Sequence, residues 1–251
     1  MNKFRKLPQK LGKVIEYQIG SIVGHTNYSR FAIIGNARTG SNFLMDGIMS
    51  SGSVYMFHEI FADHNRKIGS DFDKIISKLY RRKGKRIRHV GVKIFYYHLT
   101  NEEWTKLLTH DDFKLIHIVR QNRLRTITSL EIALKTDQWV ATPSSINNNK
   151  EKTVRINTTN LIKRIEKIHQ EEIKTRERFK GRSLLEVAYE NLITNPNEEF
   201  KKIKNFLGLP YIKPNAIKYK KQNPEGLMEL IVNFEEVEQA LNGTPYEDYL
   251  K

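Results

Sequence analysis

The 251-residue chain contains no cysteine. That excludes disulfides, zinc ribbons, iron–sulfur clusters and thiol catalysis, and removes any redox clue to compartment. It is equally poor in long apolar runs: none approaches the ~20 residues of a membrane span. The N-terminal MNKFRKLPQKLGKVIEYQIGSIVG is basic and broken by Pro8, without the continuous apolar stretch of a secretory signal. Residues 11–23 read as a short amphipathic helix docked on the domain surface, and the expected location is cytoplasmic. Acidic residues are also scarce, 28 Asp and Glu against 43 Lys and Arg, leaving a net charge of +15. Such an imbalance points to an anionic partner, whether nucleic acid, an acidic membrane surface or a polyanionic small molecule, and is silent about fold.

What is present is a regular alternation. FAIIG within 30–35 is an apolar run ending at Gly35, a buried strand. Helical spacing follows from Ser41, through Phe43, Leu44 and Ile48. A second helix is expected over 71–83, a strand over 88–97, and a short helix after a cap at Asn101. KLIHIV at 114–119 is a third strand and 122–135 a helix. Residues 136–157, rich in Asn, Ser and Thr, read as a long loop. A charged helix over 158–180, a fourth strand over 183–190, a helix from Pro196 to Gly208 and a helical tail near 225–241 complete the pattern. Strands alternating with helices predict an α/β fold: a single domain over 30–251 with a central, mainly parallel sheet flanked by helices, preceded by a basic segment at 1–29.

Two motifs carry chemistry. GNARTGSN, Gly35 to Asn42, joins a strand to a helix. A helix N-terminus offers unpaired N–H groups and a partial positive charge, and Gly35 and Gly40 let the backbone curl around a phosphate. Arg38 adds a guanidinium fork; Thr39, Ser41 and Asn42 add donors. The spacing is P-loop-like, but the lysine that would hold a nucleotide with Mg²⁺ is missing. The second motif follows KLIHIV: Arg120 ends the strand, where ligands of α/β sheets sit, and Arg125 and Ser129 share a helix face four residues apart.

Strand–RTGSN–helix followed by strand–R-x-N-x-x-R-x-x-x-S–helix resembles the sulfotransferases that use 3′-phosphoadenylyl sulfate (PAPS). The stretch VAYENLITNPNEEFKKIKNFLGLP, 187–210, is similar to a third segment of that family, which packs beside the nucleotide. The tail, with Lys220, Lys221 and Gln222, is similar to bacterial relatives of the trehalose and nodulation-factor type that modify carbohydrates. The resemblance implies that Arg38, Thr39, Gly40, Ser41 and Asn42 bind the 5′-phosphosulfate and that Arg120, Arg125 and Ser129 bind the 3′-phosphate. Thr128 is the alternative hydroxyl, and Tyr189 orders the nucleotide site. The widespread cytosolic branch has Lys in place of Arg38 and lacks one residue between the strand-end Arg and the Ser.

The implied reaction moves a sulfuryl group in line to a hydroxyl of a carbohydrate or other small acceptor. It needs no metal, and Arg38 and Ser41 stabilise the leaving oxygen. Glu59, in HEIF, lines up with the carboxylate base of the trehalose-type enzymes, with adjacent His58 as the alternative; on a strand only one of them faces the site. Lys93 sits where it either reaches the transferring group or serves solubility. His98, His110 and His117 are scattered, and His117 reads as a core histidine. Relatives often pair, so the resemblance carries over a homodimer. Two other readings stay open: a P-loop kinase, disfavoured by the missing lysine, and a basic nucleic-acid-binding protein, for which no recognised module is present.

Overall fold

The computed structural model describes residues 24–66, 72–109, 113–140, 152–214 and 222–251. The amphipathic segment expected at 11–23, His110, residues 141–151 of the 136–157 loop, and Lys220 and Lys221 lie outside the described residues.

Five strands form one sheet: β1 Ser29–Gly35, β2 Val54–Phe57, β3 His89–Phe95, β4 Phe113–Val119 and β5 Leu184–Ala188. Their order is β2-β3-β1-β4-β5, and every neighbouring pair is parallel. The central strands are mostly apolar because both faces are covered; all of β3 is buried. Alternation along β1 sorts its side chains. Phe31 and Ile33 pack with Leu44 and Ile48 of α1 (Ser41–Met49) on one face. Ala32 and Ile34 join Phe72 of α2 (Phe72–Leu79), Trp104 of α3 (Asn101–Leu108) and Phe179 on the other. A third core joins Leu124 and Ile127 of α4 (Arg123–Thr136) to Leu161 and Ile165 of α5 (Leu161–Arg178) and to the C-terminal region. That region follows α6 (Tyr189–Thr194) and α7 (Pro196–Leu207) and holds α8 (Leu227–Leu230) and α9 (Phe234–Leu241).

Several boundaries differ from the sequence pattern for physical reasons. The short edge strand β2 is a fifth strand that the alternation did not count. The strand expected over 88–97 stops at Phe95, and a turn carries Tyr96 to His98 past the sheet end. The strand expected over 183–190 stops at Ala188, so Tyr189 opens a helix. Thr100, not Asn101, caps α3: its hydroxyl accepts from the Glu103 N–H at 3.2 Å, and Glu103 Oε2 accepts from the Thr100 N–H at 2.9 Å. His117 is a core histidine, fully buried between Tyr96 and Glu186.

The topology places the site. From β1 the chain crosses to β2 and β3 on one side; from β4 it passes to β5 on the other. The carboxyl ends of β1 and β4 therefore flank a switch point, where open parallel sheets leave a crevice. Gly35 keeps the two ends close, since a Cβ there would lie 2.5 Å from the Ile118 carbonyl oxygen.

Candidate active site

A cavity of about 1070 Å³ opens at this switch point, and both sequence motifs line it. In the first loop Gly40 has φ 82°, and a Cβ there would meet the Tyr189 ring at 2.4 Å, so only glycine lets the loop rest on that ring. Thr39 Oγ1 donates to the Asn36 carbonyl at 2.8 Å and tightens the turn. α1 has no side-chain cap at its N-terminus. Its first residues, Ser41 and Asn42, line the cavity together with Gly40. The leading N–H groups of a helix have no acceptor within it, so this end favours an anion.

Arg120 stands just past β4, buried, its guanidinium 4.7 Å from the Tyr189 ring centre. Its NH1 donates to the Arg38 carbonyl at 3.3 Å, and its Nε has no hydrogen-bond partner among the described residues. Glu190 secures the following turn by accepting from the backbone N–H groups of Gln121 and Asn122. Asn122 then caps α4, its side chain accepting from the Arg125 N–H at 2.9 Å. This cap aims Arg125 and Ser129 at the cavity. Thr128, the alternative hydroxyl, donates back to the Leu124 carbonyl within the helix at 2.9 Å.

The Arg38 side chain reaches toward α4. Its Nε donates to Ser129 Oγ at 3.0 Å, NH1 to the Trp139 carbonyl at 2.6 Å, and NH2 to Gln222 Oε1. It therefore belongs to the Arg120–Ser129 end and ties the first loop to α4 and to two later segments. These contacts hold a non-glycine residue at φ 67°, a conformation that costs on the order of 1–3 kcal/mol. Burial, then repulsion from Arg120, lowers the Arg38 pKa to about 10, still charged at neutral pH. Burial likewise lowers that of Arg120. Among the described residues no carboxylate forms a salt bridge with Arg38, Arg120 or Arg125.

The other end of the cavity is built on Lys93 and Glu59. Lys93, side chain 2% exposed, donates to Asn42 Oδ1 at 2.7 Å and pairs with Glu59 Oε1 at 2.8 Å. Burial lowers its pKa, opposed by the Glu59 hydrogen bond and charge. Glu59 lines the cavity; the adjacent His58 is exposed and does not. His98, in the turn after β3, lines the cavity beside them.

The arrangement thus gathers Arg38, Gly40, Ser41, Asn42, Arg120, Arg125, Ser129, Tyr189 and Glu59 around one space, and leaves His58 and the buried Thr39 outside its lining. It adds Gln222, Asn223 and His98, to which the sequence had given no place in the chemistry, and brings in Lys93. For Lys93 the signal was available: a charge inside an otherwise apolar strand demands a buried partner. Among the described residues no group of three or more His, Asp or Glu is placed to hold a metal ion, and no helix is long and apolar enough to cross a membrane.

A model of the Sulfotransferase family matches residues 107–213, the stretch holding Arg120, Ser129 and Tyr189. Nodulation protein H of Rhizobium tropici is 24% identical over 234 residues, covering 88% of this chain and 92% of the relative. A sulfotransferase from Alicyclobacillus acidocaldarius superposes with a TM-score of 0.49 at 14% identity, covering 91% of this chain and 100% of that one. Mouse sulfotransferase SULT7A1, complexed with PAP, gives 0.49 at 12% identity, covering 96% and 93%. The matched family segment and the alignment to a relative along nearly its whole length make the chain similar to the sulfotransferase family.

Proposed function

We propose that the protein transfers the sulfuryl group of PAPS to a hydroxyl of a carbohydrate or other small-molecule acceptor, in line and without a metal. The observation that carries this is the set of three arginines without carboxylate partners, Arg38, Arg120 and Arg125, at one end of a cavity whose other end holds Lys93 and Glu59. Unpaired buried charge is expensive, so a site with surplus cations favours an anionic ligand. PAPS carries anionic groups at both ends of its ribose. Arg120, Arg125 and Ser129, with Arg38 across them, suit the 3′-phosphate; the N-terminus of α1 with Ser41 and Asn42 suits the 5′-phosphosulfate.

In this arrangement the cation nearest the start of α1 at the transfer end is Lys93, held by Asn42. It joins Arg38 and Ser41 in stabilising charge on the leaving phosphate oxygen. Glu59 accepts the acceptor's proton, and Lys93 orients it. A sulfuryl group carries less charge than a phosphoryl group, so these fixed donors suffice.

The test is transfer from radiolabelled PAPS to a panel of carbohydrates by the purified full chain, with and without EDTA. The expected result is labelled product in both, lowered by Glu59→Gln in turnover more than in nucleotide affinity. Mg²⁺-dependent ATP turnover without sulfuryl transfer would instead favour a kinase. Salt-sensitive duplex binding that ignores PAPS would favour a nucleic-acid-binding protein.

A further inference from the structure

His98 is the most constrained titratable group in the cavity. Its ring is buried, 6% exposed, between Phe95, with ring centres 4.9 Å apart, and Tyr97, at 5.0 Å edge-on. Nδ1 accepts the backbone N–H of Phe95 at 3.1 Å. The His98 N–H returns to the Phe95 carbonyl at 2.9 Å, and the His98 carbonyl accepts from Arg66 NH2 at 2.8 Å. Backbone and ring are fixed together, and Nε2 has no hydrogen-bond partner among the described residues.

This geometry settles the tautomer. A backbone N–H only donates, so Nδ1 keeps its lone pair and the neutral ring carries its proton on Nε2. The groups that act on it are Glu59, Lys93, His64 and Asp63, with Arg66 at its carbonyl. Burial dominates, and despite Glu59 the His98 pKa is lowered to about 4, so the ring is neutral at physiological pH. Its only basic atom, Nδ1, is occupied by Phe95.

We infer that His98 is a fixed Nε2–H donor to the acceptor's nucleophilic atom, not a base, and that it makes the site select hydroxyls over amines. The inference rests on the proposed sulfuryl transfer. In that step the acceptor oxygen forms a bond to sulfur and the sulfur–oxygen bond to the phosphate breaks. The electron pair leaves on that phosphate oxygen, and the acceptor's proton goes to Glu59. A hydroxyl meets every demand: one lone pair attacks, the other accepts from Nε2–H, and its proton is free for Glu59. A neutral amine has one lone pair, which attack consumes, leaving the His98 donor unmatched. An ammonium has none.

The direct test is long-range ¹H–¹⁵N correlation of the ¹⁵N-labelled full chain between about pH 5 and pH 8. The His98 signals are identified by their loss in His98→Gln, or in His98→Asn should the first variant not fold. The expected result is the Nε2–H tautomer throughout, without titration; an Nδ1–H tautomer or a midpoint near 6.5 would overturn the inference. In turnover, His98→Ala should lower kcat roughly tenfold or more while the acid limb of the pH profile stays in place. His98→Gln, whose amide donates, should recover part of the loss. Disappearance of the acid limb would make His98 the base. Glucosamine oligomers offer hydroxyl and amine on one molecule, and the product should be the O-sulfate alone. N-sulfate would overturn the selectivity. Absence of any transfer overturns the proposed function and the selectivity with it, whatever the tautomer proves to be.

Discussion

Arg120 and Arg123 occupy the same strand-to-helix junction, and the fold treats them in opposite ways. Arg123 donates to Glu172 and to the Tyr249 hydroxyl; burial would lower its pKa, but the Glu172 hydrogen bond and charge raise it. Among the described residues Arg120 forms no salt bridge, and burial lowers its pKa, opposed by the charges of Tyr189 and Glu190. Behind the sheet the same care is taken with Arg176, whose Nε and NH2 both reach Glu186, itself held by His117 and pushed down to about 2. The chain neutralises Arg123 and Arg176 with carboxylates where they serve structure. Leaving Arg38, Arg120 and Arg125 unneutralised around one cavity marks that space for an anionic ligand, and the binding free energy offsets what their burial costs.

The comparison breaks most visibly by substitution. Arg123→Ala should destabilise the protein by about 3–5 kcal/mol, because Glu172 is left buried without its partner. Arg120→Ala should leave the melting temperature unchanged or higher, yet weaken binding of 3′,5′-bisphosphoadenosine by roughly 2–5 kcal/mol. Thermal melts and calorimetry on both variants separate the two roles; equal loss of stability would erase the distinction.

At the other end of the cavity, Glu59→Gln should reduce turnover roughly 10²- to 10⁴-fold while nucleotide affinity changes little, since Glu59 pairs with Lys93 and not with the arginines. Comparable losses in both would place Glu59 on the nucleotide.

Acid sensitivity gives a third contrast. Folded His98 has its pKa lowered from 6.5 to about 4. Below about 6.5 the unfolded chain takes up a proton that the folded chain refuses, so stability falls as pH drops from about 6.5 to about 4. The loss is on the order of 3 kcal/mol, and denaturant melts of His98→Gln should show a flatter profile over that window.

The smallest effect concerns Gln222. It is a neutral partner of Arg38, so Gln222→Ala should cost about 1 kcal/mol in nucleotide affinity, measured by calorimetry, without changing the need for the 3′-phosphate.

How much of this was legible in the sequence follows from how local each feature is. β1 and β4 were readable because strands buried on both faces are dominated by apolar residues, and the motifs at their ends were readable because strand, loop and helix are contiguous. The edge strand β2 was weaker: it has only four residues and alternates in burial. The Thr100–Glu103 capping box was present in the sequence and overlooked in favour of Asn101. The direction of the Arg38 side chain was not legible, since Gln222 lies 184 residues away and no local pattern encodes that meeting. The same holds for Lys93, Glu59 and Asn42, three separate elements joined only by the fold. The tautomer of His98 was also out of reach, because it depends on β3 ending at Phe95, two residues before the strand pattern does.

The central claim is that the arginine end of the cavity reads a phosphate on the ribose 3′ position. Isothermal calorimetry of 3′,5′-bisphosphoadenosine against AMP, on the unmodified full chain, tests it most directly. The account predicts affinity for the bisphosphate roughly tenfold to a hundredfold higher, the value of charge-assisted hydrogen bonds to one added phosphate. Equal affinity for the two nucleotides would contradict it.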